Sequence, residues 1–251
     1  MGDRISHRRL VVNADDFGFT RDVNQGIVEA HRRGILTATT LMANGAAFDD
    51  AVRLARETPS LDVGCHLVLV GGPSLLDPAR PLPGSVPRLL AALAGGRLRL
   101  YDELAAQVRR ILEAGLRPTH LDTHKHTHVL PPVLNAVARL SREFGIPWVR
   151  RPVGNPFLGV LRRSGCRITD HFSGFRLTGR FHTRQLVEVI HALPAGTTEF
   201  MCHPGFCTDE LRRASTRLKD SRQRELEALT APETRRALED AAVELVSYRD
   251  L

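Results

Sequence analysis

Asp15 and Asp16 stand side by side at the end of an apolar run, in "VVNADDFGFT" (residues 11–20). Asp, Asn and Gly are common where a strand turns, so the pair acquires chemical meaning only with partners. Partners recur along the chain: Asn44, His66 in "GCHLVL", the segment "HLDTHKHTH" at 120–128, Arg150, and His203 in "CHPG". Two imidazoles and one carboxylate drawn from separate strands make a site for a catalytic divalent ion, with coordination positions left for water. Asp16, His66 and one of the histidines at 124–128 are the expected set. Asp15 is then free of the ion and available as a general base, which gives two adjacent carboxylates different work.

The 120–128 segment places His120, Asp122, His124, His126 and His128 on even positions, where they would share one face of an extended strand. At about 3.3 Å per residue His120 and His128 would lie roughly 26 Å apart, so one ion takes only one or two neighbours. The same spacing also fits a solvated His-rich tract. Two look-alikes are set aside. Asp16-Phe17-Gly18 repeats the magnesium-holding tripeptide of protein kinases, but no Gly-rich loop, strand lysine or His-Arg-Asp loop precedes it. A thiolate zinc site in "CHPGFC" is disfavoured because Cys202 and His203 would face opposite sides of a strand.

These residues need a scaffold that delivers them to one place. Short β-rich runs (9–15, 35–42, 61–69, 118–123, 146–150, 166–171, 197–203, 242–247) alternate with helical patterns (22–33, 47–57, 101–115, 131–144, 183–192, 208–213, 219–229, 232–240). Gly34, Gly115 and Gly145 close helices, and Pro131 and Pro132 open one. The alternation predicts an α/β chain, a (β/α) TIM-like barrel in regular, irregular or incomplete form, as a single catalytic domain over 1–251. No GxGxxG follows the first strand to favour an open dinucleotide-binding sheet. In such a barrel chemistry sits at the C-terminal strand ends, where the candidate residues fall. The Gly- and Pro-rich stretch 71–100 reads as a lid or specificity loop.

Composition narrows the function classes. With 251 residues, 42% apolar and 25% charged, the chain has an ordinary globular make-up. Net charge is +7, yet all but two of its 35 basic residues are arginines scattered along helices, the lysines being Lys125 and Lys219. That pattern is general composition rather than a nucleic-acid stripe. Apolar runs are too short to span a bilayer and no signal-type segment follows the N-terminus, so a cytoplasmic protein is expected, with at most weak association to an acidic membrane face. Cys65, Cys166, Cys202 and Cys207 form no CxxC pair and read as reduced thiols.

Taken in order, "NADDFG", "GCHLVL", "THLDTHKHTH" and "CHPG" give the chain a resemblance to the YdjC-like carbohydrate deacetylases, which include chitooligosaccharide deacetylases and hopanoid-biosynthesis-associated members. The resemblance spans nearly the whole chain. It implies a barrel-like fold and metal-dependent removal of an N-acetyl group from an amino sugar. Matched residue by residue, it implies Asp16, His66 and His124 as ligands of one divalent ion, magnesium or zinc, and Asp15 as base, with weaker matches for His203 as acid and Arg150 as partner of Asp15. The more distant polysaccharide deacetylases of the NodB type share an Asp-Asp pair, two histidines and an Arg-x-Pro element, here "RRP". Their two-histidine spacing differs, which keeps His128 as a rival to His124. Phe17, Trp148 and Phe206 lie beside these motifs and are offered, with Asn44, as substrate contacts. The expected partner is an N-acetylated chitooligosaccharide or glycolipid head group, with self-association into a homo-oligomer left open. The rival classes are a metal-dependent phosphoesterase and a non-catalytic sugar-binding barrel.

Overall fold

The computed structural model describes residues 7–154 and 158–251. Its elements run β1 (Arg8–Phe17), α1 (Arg21–Arg33), β2 (Ala38–Leu41), α2 (Phe48–Glu57), β3 (Asp62–Leu67), α3 (Val86–Ala94), α4 (Leu100–Glu113), β4 (His120–Thr123), α5 (Pro131–Phe144) and β5 (Trp148–Val149). There follow α6 (Leu158–Arg163), β6 (His171–Ser173), α7 (Thr183–His191), β7 (Gly196–Cys202), α8 (Asp209–Arg213), α9 (Asp220–Thr230), α10 (Pro232–Asp240) and β8 (Val243–Leu245).

The strands form one parallel sheet in the order β5-β4-β3-β2-β1-β7-β6, with β8 paired to β1. Buried on both faces, they need no alternating polar side, and β1 accordingly carries "LVV" between its charged start and its carboxylates. The sheet curls, but it is not a regular eight-stranded ring. β7 lies directly beside β1 along Arg8–Ala14, while β2 takes the upper part of the other edge and β8 only Arg8–Leu10. The edge strand β5 meets the segment leading into β6 through an isolated bridge, Trp148 to Arg167. This last point displaces the sixth strand: the run expected at 166–171 makes its ladder only at His171–Ser173.

Local chemistry explains the helix ends. The Thr20 hydroxyl accepts the Val23 N–H at the start of α1, Pro131 and Pro132 occupy the first turn of α5, and Gly145 ends α5 in the left-handed region at φ 65°. The helices pack on the outer face of the sheet around a contiguous core that includes Val12, Ile27, Leu41, Leu67, Val137 and Phe200. The stretch 71–100, expected as a loop, contains α3, capped by the Ser85 hydroxyl. Its start is tied down by Glu103, which accepts from the Ser74 hydroxyl and the Leu75 N–H.

Candidate active site

Strand alternation should send Asp15 and Asp16 to opposite faces. They do not separate, because the β1–β2 register shifts between Ala14 and Phe17 and Asp16 takes a left-handed backbone at φ 70°. Asp tolerates that region better than most residues, at a cost of about 1–3 kcal/mol. The kink turns both carboxylates into one cavity at the C-terminal end of the strands. A comparable turn occurs after β4. The extended face expected for 120–128 ends at Thr123, and Lys125 and His126 are left-handed at φ 55° and 52°. The four histidines therefore fan out instead of aligning.

His124 meets His66 and Asp16. The His66 Nε2 and His124 Nδ1 are 3.2 Å apart, and the Asp16 Oδ1 lies 3.4 Å from the first and 3.3 Å from the second. The centre of that triangle is about 1.9 Å from each corner, close to the 2.0–2.2 Å at which zinc binds nitrogen and carboxylate oxygen. The Asp16 Oδ1 is buried without a hydrogen-bond partner, as an atom reserved for an ion would be. The triad thus fits a divalent cation.

His128 goes elsewhere: its Nδ1 is 2.6 Å from the Thr123 hydroxyl, and it is not among the residues whose ligand atoms converge. His120 stacks on Tyr248 at 4.0 Å, below the triad, with its Nε2 on Asn13. His126 packs edge-on against Phe175 at 4.8 Å.

Beneath the triad lies a layer of paired charge. Asp122 Oδ1 accepts from His66 Nδ1 at 2.7 Å, which fixes the tautomer that turns the Nε2 lone pair toward the triad. Arg150 Nη1 is 2.7 Å from the other Asp122 oxygen, its Nε donates to Glu199 at 2.7 Å, and Nη1 and Nη2 grip both oxygens of Asp15 at 2.9 and 2.7 Å. A second His/Asp group, Asp15–His66–Asp122, is close enough to be considered for an ion, but this guanidinium already fills it. Arg222, from α9, donates to Asp16 Oδ2 at 2.5 Å. Four buried carboxyl groups (Asp15, Asp16, Asp122, Glu199) stand against two guanidiniums, an acidic excess that a divalent cation would offset.

The local field follows. Burial would raise Asp15, but Arg150 holds it well below the usual carboxylate range. Burial likewise opposes ionisation of Asp16, and Arg222 and the two histidines outweigh it. Burial pushes His66 down, yet Asp122 raises it to about 10, so the protein already favours positive charge at this spot. His203, with its Nε2 3.9 Å from Asp15, is pushed to about 4 by burial and is neutral.

The cavity above these groups has a volume of about 840 Å³ and is lined by Asp15, Asp16, Asn44, His124, His203 and Arg222 among others. Asn44 donates to the Pro73 carbonyl and keeps a buried, unpartnered Oδ1. The start of the 71–100 stretch contributes Gly71, Gly72, Pro73 and Gly84 to the rim. The aromatic contacts expected from sequence are corrected. Phe17 is fully buried in the core, Trp148 packs with Val11, Val246 and Tyr248 below the site, and Phe206 lies against the core outside the cavity lining. Phe19 and Phe175 line the cavity instead. Adjacency in sequence misled because a neighbour along the chain need not face the site: Phe17 follows Asp16 into the core, and Phe206 lies in the loop after β7. Asp122, Arg222, Glu199 and Glu225 were not assigned roles from sequence. For α9 one signal existed: Arg222 and Glu225 share a helical face with Leu226 and Leu229, which puts charge on the buried side.

A curled parallel α/β sheet thus gathers at its C-terminal edge, where strand-end chemistry sits, an Asp-His-His group able to hold a metal ion and a second carboxylate beside it. The chain belongs to the YdjC-like protein family, whose profile it matches over residues 9–240. It is 38% identical over 256 residues to a carbohydrate deacetylase of Brevibacillus brevis, covering 97% of this chain and 99% of the relative. To a carbohydrate deacetylase of Geobacillus stearothermophilus it is 36% identical over 247 residues, covering 97% and 98%. Among solved structures, a protein of Enterococcus faecalis V583 suggested to act in cellobiose-phosphate cleavage superposes with a TM-score of 0.84 at 28% identity, covering 97% of this chain and 98% of that one. Among the described residues, no helix is long and apolar enough to cross a membrane.

Proposed function

We propose that this chain is a metal-dependent hydrolase that removes the N-acetyl group from an N-acetylated amino sugar. The observation that carries the reading is the triangle of Asp16 Oδ1, His66 Nε2 and His124 Nδ1 with Asp15, gripped by Arg150, beside it. The carbohydrate deacetylases to which the chain is similar support the reaction class. Two nitrogens and one oxygen make zinc the first metal to test, with magnesium second. When bound, the ion supplies a Lewis acid that acidifies water and polarises the acetamide carbonyl.

The chain's own groups then divide the proton work. Asp15 takes the proton of the attacking water, and Arg150 keeps it ionised and aimed through a bidentate grip. That grip also makes Asp15 a weak base, so it accepts the proton only from an acidified water. His203 is neutral at rest, so it gains the proton during the reaction rather than holding it beforehand, and its Nε2, beside Asp15 at 3.9 Å, then delivers it to the leaving amine. Phe175, 46% exposed at the cavity rim, offers a face for a sugar ring, and the free Asn44 Oδ1 accepts from a sugar hydroxyl or amide.

Purified protein incubated with Zn²⁺ and N-acetylated chitooligosaccharides should release acetate. A phosphoester substrate releasing phosphate instead would overturn the reading. Asp15→Asn is nearly isosteric and should keep bound metal while losing about 10²- to 10⁴-fold in kcat, roughly 3–5 kcal/mol of barrier. Loss of metal by this variant would make Asp15 a ligand.

A further inference from the structure

Helix α9 buries two ionisable side chains one turn apart, and both reach the site from outside the sheet. Arg222 is 1% exposed; its Nη2 meets Asp16 Oδ2 at 2.5 Å, and its Nε and Nη1 are buried without partners. Glu225 is also 1% exposed, and its two oxygens accept the backbone N–H of His203 at 2.6 Å and of Gly179 at 2.8 Å. A guanidinium held in the interior with one acceptor and two idle donors is a poor stabiliser, since burial of an incompletely paired ion usually costs more than its contacts return. Packing alone does not explain it. A leucine or methionine there would fill the space without the desolvation cost.

Resting on the functional reading above, we infer that α9 is the positioning element of the site, with Arg222 orienting Asp16 and Glu225 orienting His203. By occupying Oδ2, Arg222 leaves Oδ1 as the free oxygen that faces His66 and His124. Partners of this kind, one shell outside the ligands, typically change metal affinity or activity 10- to 100-fold when removed. Glu225 acts on the backbone. It clamps the turn that follows β7 to Gly179, which ends the 174–179 segment carrying Phe175, so the His203 imidazole and the aromatic rim share one anchor. Close contact between α1 and that turn completes the clamp: a Cβ at Gly26 would stand 2.4 Å from the Gly205 Cα, so the two meet backbone to backbone. The residues divide the labour, Arg222 toward the ion and Glu225 toward the proton.

The test uses the full chain in four forms: wild type, Arg222→Met, Arg222→Lys and Glu225→Gln. Zn²⁺ titration calorimetry on chelator-treated protein needs no activity, and kcat and KM are read from acetate release. Arg222→Met should weaken Zn²⁺ binding 10- to 100-fold, and Arg222→Lys, with the charge but not the planar fork, should recover part of that loss. Glu225→Gln should bind Zn²⁺ within twofold of wild type while kcat falls at least tenfold and KM changes less than threefold. Unchanged or tighter Zn²⁺ binding by Arg222→Met overturns the Arg222 assignment. If Arg222→Met does not fold, Arg222→Lys must still bind at least fivefold more weakly than wild type, and equal affinity overturns it. Loss of Zn²⁺ by Glu225→Gln as large as that of Arg222→Met, or a lowered melting temperature with kcat unchanged, overturns the division of labour. A wild type that releases no acetate refutes the functional reading and leaves the Zn²⁺ comparison between wild type and the Arg222 variants intact.

Discussion

The site has two layers that treat charge oppositely. In the lower layer Arg150 bonds three carboxylates, both oxygens of Asp15 and of Asp122 are engaged, and only Glu199 Oε2 is left over. In the upper layer Asp16 Oδ1, His203 Nδ1, Asn44 Oδ1 and two nitrogens of Arg222 are buried and unpartnered. A largely satisfied network rigidifies and fixes rotamers, whereas a cluster of unsatisfied buried atoms costs free energy unless something arrives to meet them. The contrast separates a scaffold from a receiving surface. It also explains why only one of the two His/Asp groups suits an ion: the other is already filled by a guanidinium.

The sharpest way to break the lower layer is Arg150→Met. Three buried carboxylates would lose their cation, and stability should fall by about 3–5 kcal/mol in urea denaturation. A loss under about 1 kcal/mol would mean that the network does not hold the fold.

The next test concerns Glu225, which meets backbone N–H groups where Asp15 meets a guanidinium. Burial raises Glu225 to about 7, from an ordinary value of 4.5. A carboxyl raised on folding destabilises the native state once ionised, so its contribution is most favourable below pH 4.5 and declines as pH rises to about 7. Glu225→Gln lacks this titration. The variant should therefore gain on wild type by about 3 kcal/mol between pH 4.5 and 7.5, the free energy of that shift. A difference that stays flat across the range would show Glu225 to be better solvated than its burial implies.

The upper layer is broken more gently. His124→Ala should lower Zn²⁺ affinity at least tenfold, because one of three ligands is gone, while the metal-free fold changes by about 1 kcal/mol or less at this partly exposed position. His128→Ala should leave Zn²⁺ affinity within twofold. The reverse pair of results would exchange their places. The smallest effect is expected at the rim: Phe175→Ala should raise KM for an oligosaccharide about 3- to 10-fold with kcat nearly constant, consistent with the loss of one aromatic contact. Equal kcat and KM in variant and wild type would leave the sugar face unassigned.

Periodicity located seven of the eight strands and most helices, the sixth strand lying further along than expected, because it depends only on which side chains must be buried. Strand-end reasoning likewise brought Asp15, Asp16, His66, Arg150 and His203 toward one edge of the sheet, since parallel β/α repeats point their C-terminal ends the same way. Three things were beyond it. The closing geometry of the sheet, with β7 rather than β8 along most of β1, depends on pairing between residues nearly two hundred positions apart. The choice between His124 and His128 depends on a left-handed turn at Lys125 and His126, conformations that their residue types do not announce. The partners Asp122, Arg222 and Glu225 act at a distance in sequence, and only tertiary packing tells a buried charge on a helix from a solvated one. The sequence by itself therefore determined the kinds of group available and the edge of the sheet at which they collect. Tertiary structure decided which atoms face one another, because two kinked strand ends and one long-range helix set those directions.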